Sequence, residues 1–81
     1  METQKMYGVE YKTGSTSTYE IFDNYNEALA FANSNENSMF LFTADFNKDL
    51  IYKDGDSWNY EDYADTFINQ EIIEQYEIYG K

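Results

Sequence analysis

Met39-Phe40-Leu41-Phe42-Thr43-Ala44 is an almost unbroken apolar run of strand length. A run this short, apolar at successive positions, reads as a strand buried on both faces or nearly so, and the rest of the chain must then cover it from two sides. Upstream, Tyr7, Val9 and Tyr11 alternate with Gly8, Glu10 and Lys12, the period-two pattern of a half-buried strand. Gly14-Ser15-Thr16-Ser17 breaks that pattern, and Thr18 to Phe22 resumes it with Tyr19 and Ile21 on one face, so the two segments form a hairpin. Between this hairpin and the apolar run lies a helix. Asn24 can accept from the first turn and Glu27 follows three residues later as in a capping box, while Tyr25, Ala28, Leu29 and Ala32 make one apolar stripe. The Asn33-Ser34-Asn35-Glu36-Asn37 stretch ends the helix, because these side chains compete for its hydrogen bonds.

Downstream, Asp45-Phe46-Asn47-Lys48 reads as a turn into Asp49–Lys53, and Asp54-Gly55-Asp56-Ser57 as a tight turn before Trp58 and Tyr60. Tyr60, Tyr63, Ala64, Phe67 and Ile68 then keep helical spacing, but Ile72, Ile73 and Tyr76 drift to the opposite side of any straight continuation. The spacing predicts a second helix over about residues 60–70, with 71–79 left as either strand or helix. The expected fold is α+β, a small single domain over residues 1–81 with an antiparallel sheet of four to five strands in β-β-α-β-β order.

An 81-residue chain has a thin core. Its sixteen aromatic residues compensate, since each ring can bury about 150–250 Å². Cysteine is absent, which excludes disulfides and thiolate metal sites and is compatible with a reducing interior. Met1-Glu2-Thr3-Gln4-Lys5 lacks the basic start and apolar run of a signal peptide, and no stretch reaches the roughly 18 apolar residues of a membrane span. A cytoplasmic protein is expected, with no membrane partner.

Charge is the dominant surface property. Sixteen acids face five lysines, with no arginine or histidine, for a net charge of −11. Asp54, Asp56, Glu61, Asp62, Asp65, Glu71, Glu74 and Glu77 run through the last third without a positive side chain between Lys53 and Lys81. On a helix, Glu61 and Asp65 would stand one turn apart, and Glu71, Glu74 and Glu77 would form a second row. Like-charge rows oppose folding, so a cationic partner is expected, whereas direct binding of nucleic acid is disfavoured by phosphate repulsion. The plain alternative is an acidic surface that serves solubility. Tyr60, Tyr63, Tyr76 and Tyr79 lie among the acids, and Tyr60 and Tyr63 are the expected interface anchors.

Catalytic signatures are missing. Phosphate loops, nucleophile elbows and His or Cys metal spacings do not occur, and an enzyme is not expected. Asp45, Asn47 and Asp49 resemble the start of a calcium loop, but Leu50 stands where the loop needs glycine and Asp56 where it needs glutamate. No cofactor or metal is expected.

A small, acidic, cysteine-free β-β-α-β-β chain with the 54–77 acidic tract is similar to phage-encoded inhibitors of bacterial defence systems, of the anti-CRISPR or DNA-mimic type. The resemblance is one of general organisation and matches no motif. It implies a non-enzymatic inhibitor in the cytoplasm of a host bacterial cell, binding a basic nucleic-acid-binding protein such as a CRISPR effector or nuclease. The alternative is a regulatory or structural interaction module, homodimeric or not, that acts by steric docking.

Overall fold

A computed structural model describes residues 2–76, apart from the side chains of Tyr63 and Ala64. The chain runs β1 (Thr3–Thr13), β2 (Thr16–Phe22), α1 (Tyr25–Ser34), β3 (Ser38–Asn47), β4 (Ile51–Asp54), β5 (Ser57–Tyr60), α2 (Tyr63–Thr66) and β6 (Phe67–Gln75). All pairings are antiparallel, in the order β4-β5-β2-β1-β3-β6. The α+β class holds, with corrections. Six strands replace the expected four to five, because the acidic carboxy-terminal tract joins the sheet as β6. The helix expected over 60–70 is the single turn α2. The turn expected at 45–48 begins later, since β3 continues to Asn47.

The apolar run forms the inner strand β3, flanked by β1 and β6, and its side chains alternate between two cores. Leu41 joins Val9, Ala28 and Ala32 beneath α1, while Phe42, Ala44 and Phe46 join Met6, Ile21 and Phe67 on the other face. The helix starts as its sequence predicts, with the Asn24 side chain accepting from the Glu27 amide at 3.1 Å. Alanines at 28 and 32 let it lie close to the sheet. Its end is fixed from β3, where the buried Ser38 hydroxyl donates to the Ala32 carbonyl at 2.8 Å.

The face away from α1 is filled by rings from both ends of the sheet. Phe67 on β6 lies 5.3 Å from Tyr19 on β2 and 5.0 Å from Tyr60 on β5, centroid to centroid. In the sheet order those strands stand three and four steps apart, or about 14 and 19 Å at the usual strand spacing. Side chains stand roughly perpendicular to a sheet, so these rings meet only because the sheet curls around them. The helical spacing of Tyr60 and Phe67 predicts a helix, and Tyr60 is expected at an interface, whereas the two rings pack together in this interior. They reach it from two strands joined through α2, because burying both in the curl outweighs a short helix's own preference.

Gly8 makes this curl fit. A β-carbon there would lie 2.4 Å from Phe42 Cζ, and Phe42 is fully buried with no room to withdraw. The Phe42 ring therefore occupies the space of the missing side chain on β1, opposite its own register position. Beside Phe67, Thr66 is fully buried and its Oγ1 has no hydrogen-bond partner among the described residues, unlike Thr43, whose hydroxyl donates to the Met6 carbonyl at 2.9 Å.

Two stability outcomes follow from these contacts. Gly8→Ala should cost about 1–3 kcal/mol in a denaturant melt, and adding Phe42→Leu should recover part of that loss, because the clash is specific to the ring. Thr66→Val should leave stability unchanged or raise it by about 1 kcal/mol, since it removes a buried hydroxyl that has no hydrogen bond to lose.

Candidate functional site

The acidic tract is exposed at every described position, but it does not form the helical rows expected for it. Glu61 lies in the bend before α2, so no helical turn joins it to Asp65. Asp62 caps that turn instead: its carbonyl accepts from the Thr66 amide at 2.9 Å and its carboxylate from the Asp65 amide at 3.4 Å. Asp54 and Asp56 sit at the β4–β5 hairpin turn, where Gly55 supplies the positive φ of 66°. Glu71 and Glu74 lie on β6, the outer strand at the other end of the sheet order. The tract is thus divided between the two ends of the sheet. Glu77 and the Tyr63 side chain lie outside what the structure describes, as does Tyr79.

On β6, irregular pairing creates an alignment that sequence spacing hides. Residues three apart on a regular strand face opposite ways. Glu71 pairs with Thr43 and Glu74 with Leu41, however, with Ile73 as an extra residue between them. Thr43 and Leu41 are two apart on β3, so the bulge turns both glutamates to the same face, the one that carries α1. Asp45 continues the series two positions further along β3. Glu71 and Glu74 thus stand about 7 Å apart along β6, and Asp45 lies diagonally across on β3. Lys5 stands opposite Asp45 on β1, whereas Thr43 and Leu41 bring no charge to Glu71 and Glu74.

A second bulge shapes the same strand. Asn69 adopts a positive φ of 55° between the pairs Thr43–Glu71 and Asp45–Ile68, and its side-chain Nδ2 donates to Asp45 Oδ2 at 3.3 Å. Asparagine tolerates this left-handed conformation better than most residues. The sequence places Asp45 in a turn and in a calcium-loop fragment. Of that fragment, Asn47 Oδ1 accepts from the Asp49 amide at 3.0 Å in a local turn, and no cluster among the described residues could hold a metal ion.

The tyrosines are more committed to the core than the tract suggested. Tyr60 is half-buried, its ring packed on Phe67 and 6.1 Å from Tyr19. Tyr76 packs beside the α1 core, donates from its hydroxyl to Asn33 Oδ1 at 3.1 Å and ties its amide to the Met39 carbonyl at 2.8 Å. Trp58 packs against the inner cluster with Lys53 Nζ 5.5 Å from its ring centroid. Among the described residues, the exposed large apolar side chains are Tyr25, Tyr52, Ile72 and Ile73. Of these, Ile72 and Ile73 adjoin Glu71 and Glu74, a juxtaposition that the sequence does not single out because its spacing allows either strand or helix over residues 71–79.

This chain matches no family model, no curated protein and no solved structure.

Burial, followed by the nearby charges of Glu74 and Tyr25, pushes the Tyr76 phenol above its ordinary value of 10.0. The protonated form is favoured in the folded chain, so this contribution is fully present below pH 10 and is lost as pH rises through the folded pKa, where the unfolded chain ionises first. In an ultraviolet titration of tyrosinate, Tyr76→Phe should remove a component from the high-pH end of the curve.

Proposed function

We propose that this chain is a non-enzymatic inhibitor that docks its acidic surface on a basic nucleic-acid-binding protein of a host defence system, a CRISPR effector or nuclease, and competes there with DNA or RNA. The observation that carries the reading is the alignment of Glu71 and Glu74 on one face by the Ile73 bulge, with Asp45 on the neighbouring strand. A strand that spaces carboxylates about 7 Å apart along one line offers a row of lysines and arginines successive anions at fixed separation, as a phosphate backbone does. Competition then needs no chemistry from the chain. Its net charge of −11 steers encounter, and the partner's cations exchange phosphate for carboxylate. Asp54, Asp56, Glu61, Asp62 and Asp65 extend the field around the remaining surface, and the setting is the cytoplasm of a host bacterial cell.

Steric docking through a free sheet edge is the competing reading, and local geometry weakens it. One outer strand, β4, spans four residues, and the other, β6, carries two register shifts and two glutamates. Short, bulged and charged edges are poor templates for another strand.

Affinity for a candidate nuclease should fall steadily with added salt and drop about tenfold or more when Glu71 and Glu74 are both changed to lysine, with nucleic acid competing against the native chain. Binding that is indifferent to salt and to that reversal contradicts electrostatic competition and favours steric docking.

A further inference from the structure

Ile72 and Ile73 are 49% and 40% exposed although their strand is paired to β3. A single exposed aliphatic needs no explanation. Here two stand in sequence at a bulge, bracketed by Glu71 and Glu74, on an outer strand of the sheet. The other end of the sheet differs. There Asp54 and Asp56 share their hairpin with Lys53, whose ammonium sits against Trp58, and Tyr52 is the exposed apolar group. Only β6 combines adjacent aliphatic side chains with uncompensated carboxylates among the described residues.

Resting on the function proposed above, we infer that β6 is the part of the chain that touches the partner, and that the partner's basic surface contains an apolar spot. The partner approaches along the outer edge of β6, so that Ile72, on the Phe42 face, and Ile73, at the bulge, seat on that spot while Glu71 and Glu74, on the α1 face, pair with the lysines or arginines beside it. Charge selects this occupant over the others. A second copy would bring −11 against −11, and the register shifts break the ladder that a pairing strand needs. Nucleic acid would set phosphates against glutamates. A cationic protein surface with an aliphatic or aromatic centre meets both kinds of group on β6. The apolar contact gives affinity that salt does not screen, and the carboxylates give orientation and rate.

The test uses two synthetic peptides of equal charge, one of arginine and serine and one of arginine and leucine, each titrated into the isotopically labelled chain and followed by amide chemical shifts. The arginine–leucine peptide should bind about tenfold more tightly, as burial of part of two isoleucines allows, with shifts centred on residues 68–76. The exposed double variant Ile72→Ser, Ile73→Ser should fold unchanged by circular dichroism and lose that preference while still binding the arginine–serine peptide. Shifts centred on the hairpin around residues 52–58, or a preference that survives the isoleucine variant, overturn the β6 assignment and leave the charge-based function standing. Binding of neither peptide at low salt removes both.

Discussion

The Phe42 ring lies on the bare backbone of Gly8, and the shape of the molecule depends on that contact. Phe42 is fully buried and its ring occupies the space that a β-carbon on β1 would need. With the ring held there, Phe67 can approach from β6 to 5.6 Å from it and Tyr19 from β2 to 5.9 Å. Each ring contact of this kind contributes about 0.5–1.5 kcal/mol beyond the area it buries. For a chain of 81 residues without disulfides, such a cluster supplies what a small core otherwise lacks. It also draws the two ends of the sheet toward each other, so that one face becomes an interior and α1 covers the opposite one.

Curvature and surface chemistry come from the same strand. A strand that bends to bring Phe67 inward cannot keep regular pairing with β3 along its whole length, and β6 takes up the difference in two bulges, one through the left-handed Asn69 and one at Ile73. The first lets an amide reach Asp45. The second turns Glu71 and Glu74 to one face and leaves Ile73 unpaired. Like charges on one face oppose folding, and the Thr66 hydroxyl adds close by a buried group without a partner among the described residues. Departures from the most stable arrangement thus collect at α2 and β6, which is where a surface shaped for contact with another protein would place them.

The sequence made the α1 half of the molecule legible because its signals are local and agree with one another. Asn24 with Glu27, the alanine stripe and the Asn33–Asn37 stop each act within a turn or two, and the apolar alternation of Tyr7, Val9 and Tyr11 faces the helix as its period requires. The second half was misread for a physical reason. Tyr60 and Phe67 share a face in a helix and also meet inside a curled sheet, so spacing alone could not separate the two until the rest of the cluster was known. The acidic residues were legible as a composition and not as a pattern. Their spacing of three suggests a helix, and the bulge that gives it a different meaning on a strand depends on pairing with β3, which is set by contacts far away in sequence.

If rings from the two ends of the sheet meet in one interior, the bulges, the aligned glutamates and the exposed isoleucines follow from that closure. Nuclear Overhauser contacts between the Phe67 ring protons and those of both Tyr19 and Tyr60 measure it most directly. The structure predicts both sets, at centroid separations of 5.3 and 5.0 Å. A well-folded chain that shows Phe67 contacts to Phe46 on the adjoining strand but none to Tyr19 or Tyr60 would have an open, flat sheet, and the curl with everything built on it would be wrong.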